Sequence, residues 1–231
     1  MNFSDGCRYP FEVSSARALQ EISDCSALSV SEVRFGKISR TREESSRAFR
    51  TLDELYGIPF SPRVREYYFR FNEIETYWRS SNPELELVGE IHLTHLSRSV
   101  IENRLHLIWE GEGDRERELH KELKFFDDTP RTGSGHMALL RVPPGTADPE
   151  IWFFDMRQGA MPMDLDYGSY LDTLLITKGT IGWQYLYCDT GPGDPGFAPV
   201  SRGLRQMLDI FPGLFPDYDY SDLQTRLEER L

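Results

Sequence analysis

Apolar positions along the chain recur at two spacings. In residues 14–25 (SSARALQEISDC), Ala18, Leu19, Ile22 and Cys25 fall at three- and four-residue steps, the period of a helix with one buried face. Residues 41–56 place Ala48, Leu52 and Leu55 on one face among charges, and Gly57 and Pro59 follow as stop signals. Ser61 suits the cap, and Pro62 the first turn, of a helix carrying Val64, Tyr67, Tyr68 and Phe71. Thr94 to Arg104 predicts another helix, and GEGDRERELHKE reads as a solvated loop or helix face. Asp166 precedes a helix in which Tyr167, Tyr170, Leu171, Leu174 and Leu175 share a face.

The second spacing is that of strands. A short aromatic stretch runs from Ile74 to Trp78, a turn follows at Ser80–Pro83, and Leu85, Leu87, Gly89 and Ile91 alternate with more polar positions up to Leu93. ELKFFDD, HMALLRV and EIWFFDM are short apolar runs, separated by DTPRTGSG and PPGTADP, which are dense in turn formers. They predict a three-stranded antiparallel meander across residues 122–155.

TGPGDPGFA (residues 190–198) breaks the composition. Beyond it, Leu204, Met207, Leu208 and Phe211 mark one helix and Leu223, Leu227 and Leu231 another, with Ser221 and Gln224 spaced as a capping box. The predicted fold class is α+β: an antiparallel sheet with helices packed against it. The expected organisation is an N-terminal helical extension (1–45), a central α+β domain (46–190) and a C-terminal helical extension (191–231).

Of the 231 residues, 39% are hydrophobic and 13% aromatic, enough to build a core and to argue against disorder. The formal net charge is −12. Residues 1–125 carry 18 basic and 22 acidic residues (−4), and residues 126–231 carry 8 and 16 (−8). That sign disfavours nucleic acid and anionic membrane surfaces and favours basic partners. Cys7, Cys25 and Cys188 are an odd number without tight spacing, which predicts a reducing compartment rather than a disulfide framework. The N-terminus shows neither a basic start nor an apolar run, and no stretch approaches the ~20 apolar residues of a membrane helix. The cytoplasm is the expected location.

Two segments resemble the SUKH superfamily. DELYGIPFSPRVREYYFRFN (Asp53–Asn72) is similar to the family's opening: a helix ending near Gly, a Pro, an aromatic helix, then Asn. FFDDTPRTGSGHMALLRVPPGTADPEIWFFD with YGSYLDTLL is similar to its sheet and closing helix, and LLITKGTIGWQYLYCD to a recurrent ending. The resemblance covers residues 46–190. Glu73 stands where the family usually has Gly, and His136 where it often has Asp. The resemblance implies a SUKH-like fold and a non-enzymatic binding module. Bacterial members are mostly immunity proteins against polymorphic toxins, many of them basic nucleases, and fungal relatives are cell-wall signalling regulators.

Catalytic patterns are thin. His92-x-x-His95 with His106 lacks the further ligands of a zinc site. Arg131-Thr-Gly-Ser-Gly135 lacks the glycine pattern and following Lys of a phosphate loop and reads as a hairpin loop. Asp127-Asp128 reads as a solvated strand-end turn. Asp217, Asp219, Ser221 and Glu228 match calcium-loop positions, but Asp222 stands where the turn needs Gly. No cofactor and no metal are expected. Trp152 and Trp183 fit a core, whereas Tyr77, Trp78, Tyr218 and Tyr220 are alternatives as interface anchors.

The expected function is protein binding, with neutralisation of a basic toxin domain as the leading reading. An intracellular regulatory or scaffold role and a hydrolase or metal-dependent enzyme are the alternatives. The partner-binding residues predicted from acid clustering are Glu84, Glu86, Glu110, Glu112, Asp127 and Asp128.

Overall fold

The computed structural model describes residues 6–102, 113–189 and 194–231. Its helices are α1 (Pro10–Asp24), α2 (Ser45–Tyr56), α3 (Pro62–Glu66), α4 (Leu96–Ile101), α5 (Asp114–Glu122), α6 (Tyr167–Ile176), α7 (Ala198–Leu214) and α8 (Ser221–Glu228). Its strands are β1 (Leu28–Phe35), β2 (Glu73–Ser80), β3 (Val88–Thr94), β4 (Leu123–Asp128), β5 (His136–Arg141), β6 (Glu150–Asp155) and β7 (Gly159–Pro162). The fold is α+β, as expected. All seven strands lie in one sheet in chain order, each antiparallel to the next.

Local chemistry explains most boundaries. Pro10 opens α1, and the Glu12 carboxylate accepts from the main-chain N–H groups of Arg8 and Tyr9 at 2.7 and 3.4 Å. Gly57 ends α2 in the left-handed conformation (φ 66°), which returns its N–H to Asp53 O and that of Ile58 to Leu52 O. Ser61 Oγ accepts from Val64 N at the start of α3. That helix stops at Glu66, so Tyr67 to Phe71 run outside it and Tyr68 and Phe69 are buried.

Three expectations require correction. β1 was expected to be part of a helical extension, yet it pairs with β2 from Leu28↔Ser80 to Phe35↔Ile74. The third strand begins at Val88 rather than Leu85, because residues 81–85 turn. Ser221 is the first residue of α8 and not its cap; Tyr220 holds that place, and Asp219 Oδ1 accepts from Ser221 N.

One buried apolar cluster runs from Phe11 and Leu19 through Ile74, Trp78, Phe126, Phe153 and Leu174 to Phe211 and Leu227. It crosses the boundaries expected near 45 and 190, so α1, α7 and α8 share a core with the sheet. A small second cluster (Leu123, Leu139, Phe154) lies with Leu119 of α5, Phe125 and Trp152. Apolar groups in both clusters account for the nearly continuous apolar runs in β4–β6. Trp78 and Trp183 are buried, and Trp152 is half-buried in the second cluster.

The loop after α6 ties the C-terminal helices down. Lys178 takes a left-handed backbone (φ 52°) and its side chain is fully buried. Its carbonyl accepts from Trp78 Nε1 at 2.8 Å. Gly179 (φ 69°) presses against the Glu90 carbonyl, where a Cβ would overlap main chain. Among the described residues no helix is long and apolar enough to cross a membrane.

Candidate functional site

The alternation of β2 sends Ile74, Thr76 and Trp78 to the core and Glu73, Glu75 and Tyr77 to the opposite face. Register then places Arg34 of β1 opposite Glu75, and Glu75 opposite His92 of β3. Arg34 grips Glu75 with two hydrogen bonds, Nη2 to Oε1 at 2.5 Å and Nε to Oε2 at 3.1 Å. Its Nη2 also reaches Glu73 Oε1 at 3.0 Å, while Arg98 Nη1 of α4 takes Glu73 Oε2 at 3.1 Å. Arg131, from the β4–β5 turn, pairs with Glu32. A shallow recess of about 70 Å³ lies here, lined by Glu32, Glu75, Tyr77, Glu90, His92 and Arg131.

Depth orders these charges. Glu75 and Glu73 are 15% and 19% exposed, against 51% for Arg34 and 57% for Arg131. Carboxylates therefore lie beneath a skin of guanidinium. Glu73, Glu75 and His92 bring three potential ligand atoms within 4.8 Å of one another. Yet all four carboxylate oxygens already accept from Arg34 or Arg98, and a cation would have to displace both guanidiniums. The trio is a salt-bridge lattice.

The β3–β4 junction is the weakest part of the ladder: Leu93↔Asp127 is its one register pair, against seven between β2 and β3. Side-chain carboxylates take over there. Asp127 Oδ1 accepts from the main-chain N–H of His92 at 3.1 Å, and Oδ2 from Tyr170 Oη of α6 at 2.7 Å. Glu90 accepts from Arg131 N at 2.7 Å and Thr132 N at 2.8 Å. The turn that superficially resembles a phosphate loop thus holds an internal carboxylate. Asp128 lies on the outer face, accepting a short hydrogen bond from His92 Nδ1. His92 Nε2 faces Glu75 Oε1 at 3.4 Å and Glu73 Oε2 at 4.0 Å.

Burial pushes Asp127 up to about 7, against the hydrogen bonds from Tyr170 and His92 N that favour its anion. Burial disfavours a charged His92, but the bond to Asp128 and the charges of Asp128, Glu75 and Asp127 outweigh it and raise its pKa. His95 is different. It caps α4, accepting from Ser97 N at 3.0 Å, and burial drives it down to about 3. The two histidines of His92-x-x-His95 do not converge, and His106 lies outside the described residues.

The six predicted contact residues therefore separate. Glu84 and Glu86 are exposed, in the turn before β3, with Glu86 bound to Arg202 of α7 at 3.0 Å. Glu110 and Glu112 lie outside the described residues. Asp127 is buried and Asp128 is engaged by His92, so the solvated acidic turn expected there is corrected: non-local partners bury it. At the C-terminus the calcium-loop pattern dissolves into α8, where Leu223 and Leu227 are buried and Asp222 accepts from Tyr187 Oη and Arg226. Tyr220 is buried and Tyr218 half-buried, its hydroxyl on Glu21 at 2.7 Å and its ring 3.8 Å from Lys178 Nζ. His136 donates through Nε2 to buried Asp155 at 3.2 Å; Asp155 also accepts from Tyr185 Oη at 2.6 Å.

Sequence reasoning missed a second charged region, around α8. Asp164, Asp189, Asp217, Asp219, Asp222, Glu228 and Glu229 are exposed there. Against these seven carboxylates stand Arg226 and Arg230, a net of −5. Arg226 lies 4.2 Å from the Tyr187 ring centre and pairs with Asp164 at 3.0 Å and Asp222 at 3.1 Å, and Arg230 donates to the carbonyls of Tyr185 and Cys188, so Asp189, Asp217, Asp219, Glu228 and Glu229 are the acids that neither arginine takes. Glu228 and Glu229 also sit at the helix C-terminus, where the dipole disfavours anions. The signal was present as an acid count but was absorbed by the leucine repeat. Comparison of the chain with protein-family models, with curated proteins and with solved structures gives no match in any of the three.

Proposed function

We propose that the chain is a non-catalytic binding module that receives a basic protein partner on the acidic surface around α8. The carrying observation is the inversion of charge depth between the two regions. On the β1–β3 face, guanidiniums cover carboxylates; around α8, Arg226 pairs with Asp164 and Asp222 and Arg230 is spent on main-chain carbonyls, while Asp189, Asp217, Asp219, Glu228 and Glu229 face outward. Exposed carboxylates at a helix C-terminus cost stability where they stand. Recognition of a cationic surface gives them a use, through faster encounter and fixed orientation.

The SUKH resemblance makes the partner a toxin domain and the role immunity. The acidity has the sign that favours a basic toxin domain. Cytoplasmic residence belongs to the same reading, and none of Cys7, Cys25 and Cys188 forms a disulfide. Affinity capture tests it. Wild-type protein and a variant with Asp189, Asp217, Asp219, Glu228 and Glu229 changed to Asn or Gln are used as baits in cell extract. A basic protein held by the wild type, released by salt and absent from the variant is the expected result. Equal retention by both baits would remove the α8 surface from the proposal.

A further inference from the structure

We propose that His92 is a pH-operated clasp that closes the β3–β4 junction of the sheet when its ring is protonated. The ladder there rests on one register pair, so side chains supply much of the polar pairing across it. His92 is next to that pair in the chain, and its ring spans three strands. Nδ1 donates to Asp128 of β4, and Nε2 faces Glu75 and Glu73 of β2 at 3.4 and 4.0 Å.

An imidazolium has two N–H donors and satisfies a carboxylate on each side. A neutral ring has one donor and one lone pair. Whichever nitrogen keeps the proton, the other then turns a lone pair toward a carboxylate. The Nε2–H tautomer gives up Asp128, and the Nδ1–H tautomer keeps it only as an uncharged donor with a lone pair set against Glu75, so the clasp is weaker in either. The junction would keep the Asp127 bond to His92 N, the Asp127 bond to Tyr170 and the Glu90 bonds to Arg131 N and Thr132 N. The response is therefore a local loosening and not global unfolding.

The surrounding charges favour the closed form. From β2 come Glu73 and Glu75, and from β4 Asp127 and Asp128. Opposing them are Arg34 of β1 and Arg98 of α4, both already spent on Glu73 or Glu75, with Arg131 of the β4–β5 turn paired to Glu32 of β1. Glu90 of β3 is held by the turn, and Tyr170 of α6 meets Asp127 alone of these acids. A histidine whose folded pKa is raised stabilises below its unfolded value and loses that contribution as pH rises through the folded value.

Hydrogen exchange of the β3 and β4 amides from pH 5.5 to 8.5, corrected for intrinsic rates, tests this. All profiles are taken in an Asp127→Asn background, which removes the junction's other titrating group. With His92 intact the protein should lose protection in one step with a midpoint above 6.5, and the His92 ring resonances should titrate with the same midpoint. His92→Gln should flatten the step. Asp128→Asn, a second variant should His92→Gln fail to fold, should lower the midpoint and leave β4 less protected at pH 6. A His92 profile without a step, a step that survives His92→Gln, or an Asp128→Asn midpoint equal to that of the background would each overturn the proposal.

Discussion

The Lys178 ammonium sits 3.8 Å from the centre of the Tyr218 ring. It is also 4.8 Å from the Phe215 ring centre and 2.6 Å from Glu21 Oε2. A cation from the loop after α6, a carboxylate from α1 and two aromatic rings from the α7–α8 link thus converge. This cage fastens the C-terminal helices to the N-terminal one.

Lys178 is fully buried and Glu21 is 24% exposed, so removing the carboxylate leaves a buried ammonium stranded. Glu21→Ala should destabilise the fold by on the order of 3–5 kcal/mol. Lys178→Met keeps an apolar chain of similar length between the rings and should cost less. Urea unfolding of both variants checks the order; a larger loss for Lys178→Met would contradict it.

The same lysine predicts an unusual pH profile. Burial pushes its pKa down to about 8, although Glu21 opposes the shift. Between pH 8 and the ordinary lysine range the unfolded chain binds more protons than the folded one. The contribution of Lys178 to stability therefore rises with pH across that window. The difference in unfolding free energy between wild type and Lys178→Met, followed from pH 7.5 to 10, should move in favour of wild type.

Glu12 and Arg70 form a pair buried on both sides, 0% and 3% exposed and joined at 2.8 Å. Burial opposes the Glu12 charge, but bonds from the Arg70 guanidinium and from the N–H groups of Arg8 and Arg70 hold its pKa below the usual range. That stability is present above the ordinary glutamate value and is lost as pH falls through the depressed one. Glu12→Gln should cost several kcal/mol at pH 7, on the order of 3, and less at pH 3, below the ordinary glutamate value. Denaturant titrations at the two pH values decide this.

Asp127 runs the other way. Its pKa is raised to about 7, so its contribution is full below pH 4 and is lost as pH climbs to 7. Asp127→Asn removes that dependence. The variant should gain on wild type between pH 5 and pH 8, measured by chemical unfolding. A constant difference would show that Asp127 is ionised throughout.

Much of this architecture was legible in sequence because it is local. Ala48 and Leu52 announced α2, Tyr170 to Leu175 announced α6, and turn-rich loops separated β4, β5 and β6. β1 escaped because LSVSEVRF mixes Ser, Glu and Arg with its valines, and only pairing with β2 makes it a strand. β7 escaped because Gly159 and Pro162 bound four residues that look like a loop. The acid pair Asp127-Asp128 was visible, but its burial comes from Tyr170, 43 residues away, and from the offset of β4 against β3. The covering of Glu75 by Arg34 is likewise set by sheet register, which no short window contains.

The central claim is that outward carboxylates around α8 steer a basic partner. Its most direct measurement is the association rate of the captured partner at low and high salt. Three proteins should be compared: wild type, the five-position α8 variant, and a control with Glu84 and Glu86 changed to Gln. The account predicts a wild-type rate that falls steeply as screening shortens to about 8 Å at physiological ionic strength. It predicts a slow, nearly salt-independent rate for the α8 variant and a control close to wild type. Identical salt dependence for wild type and the α8 variant would contradict it.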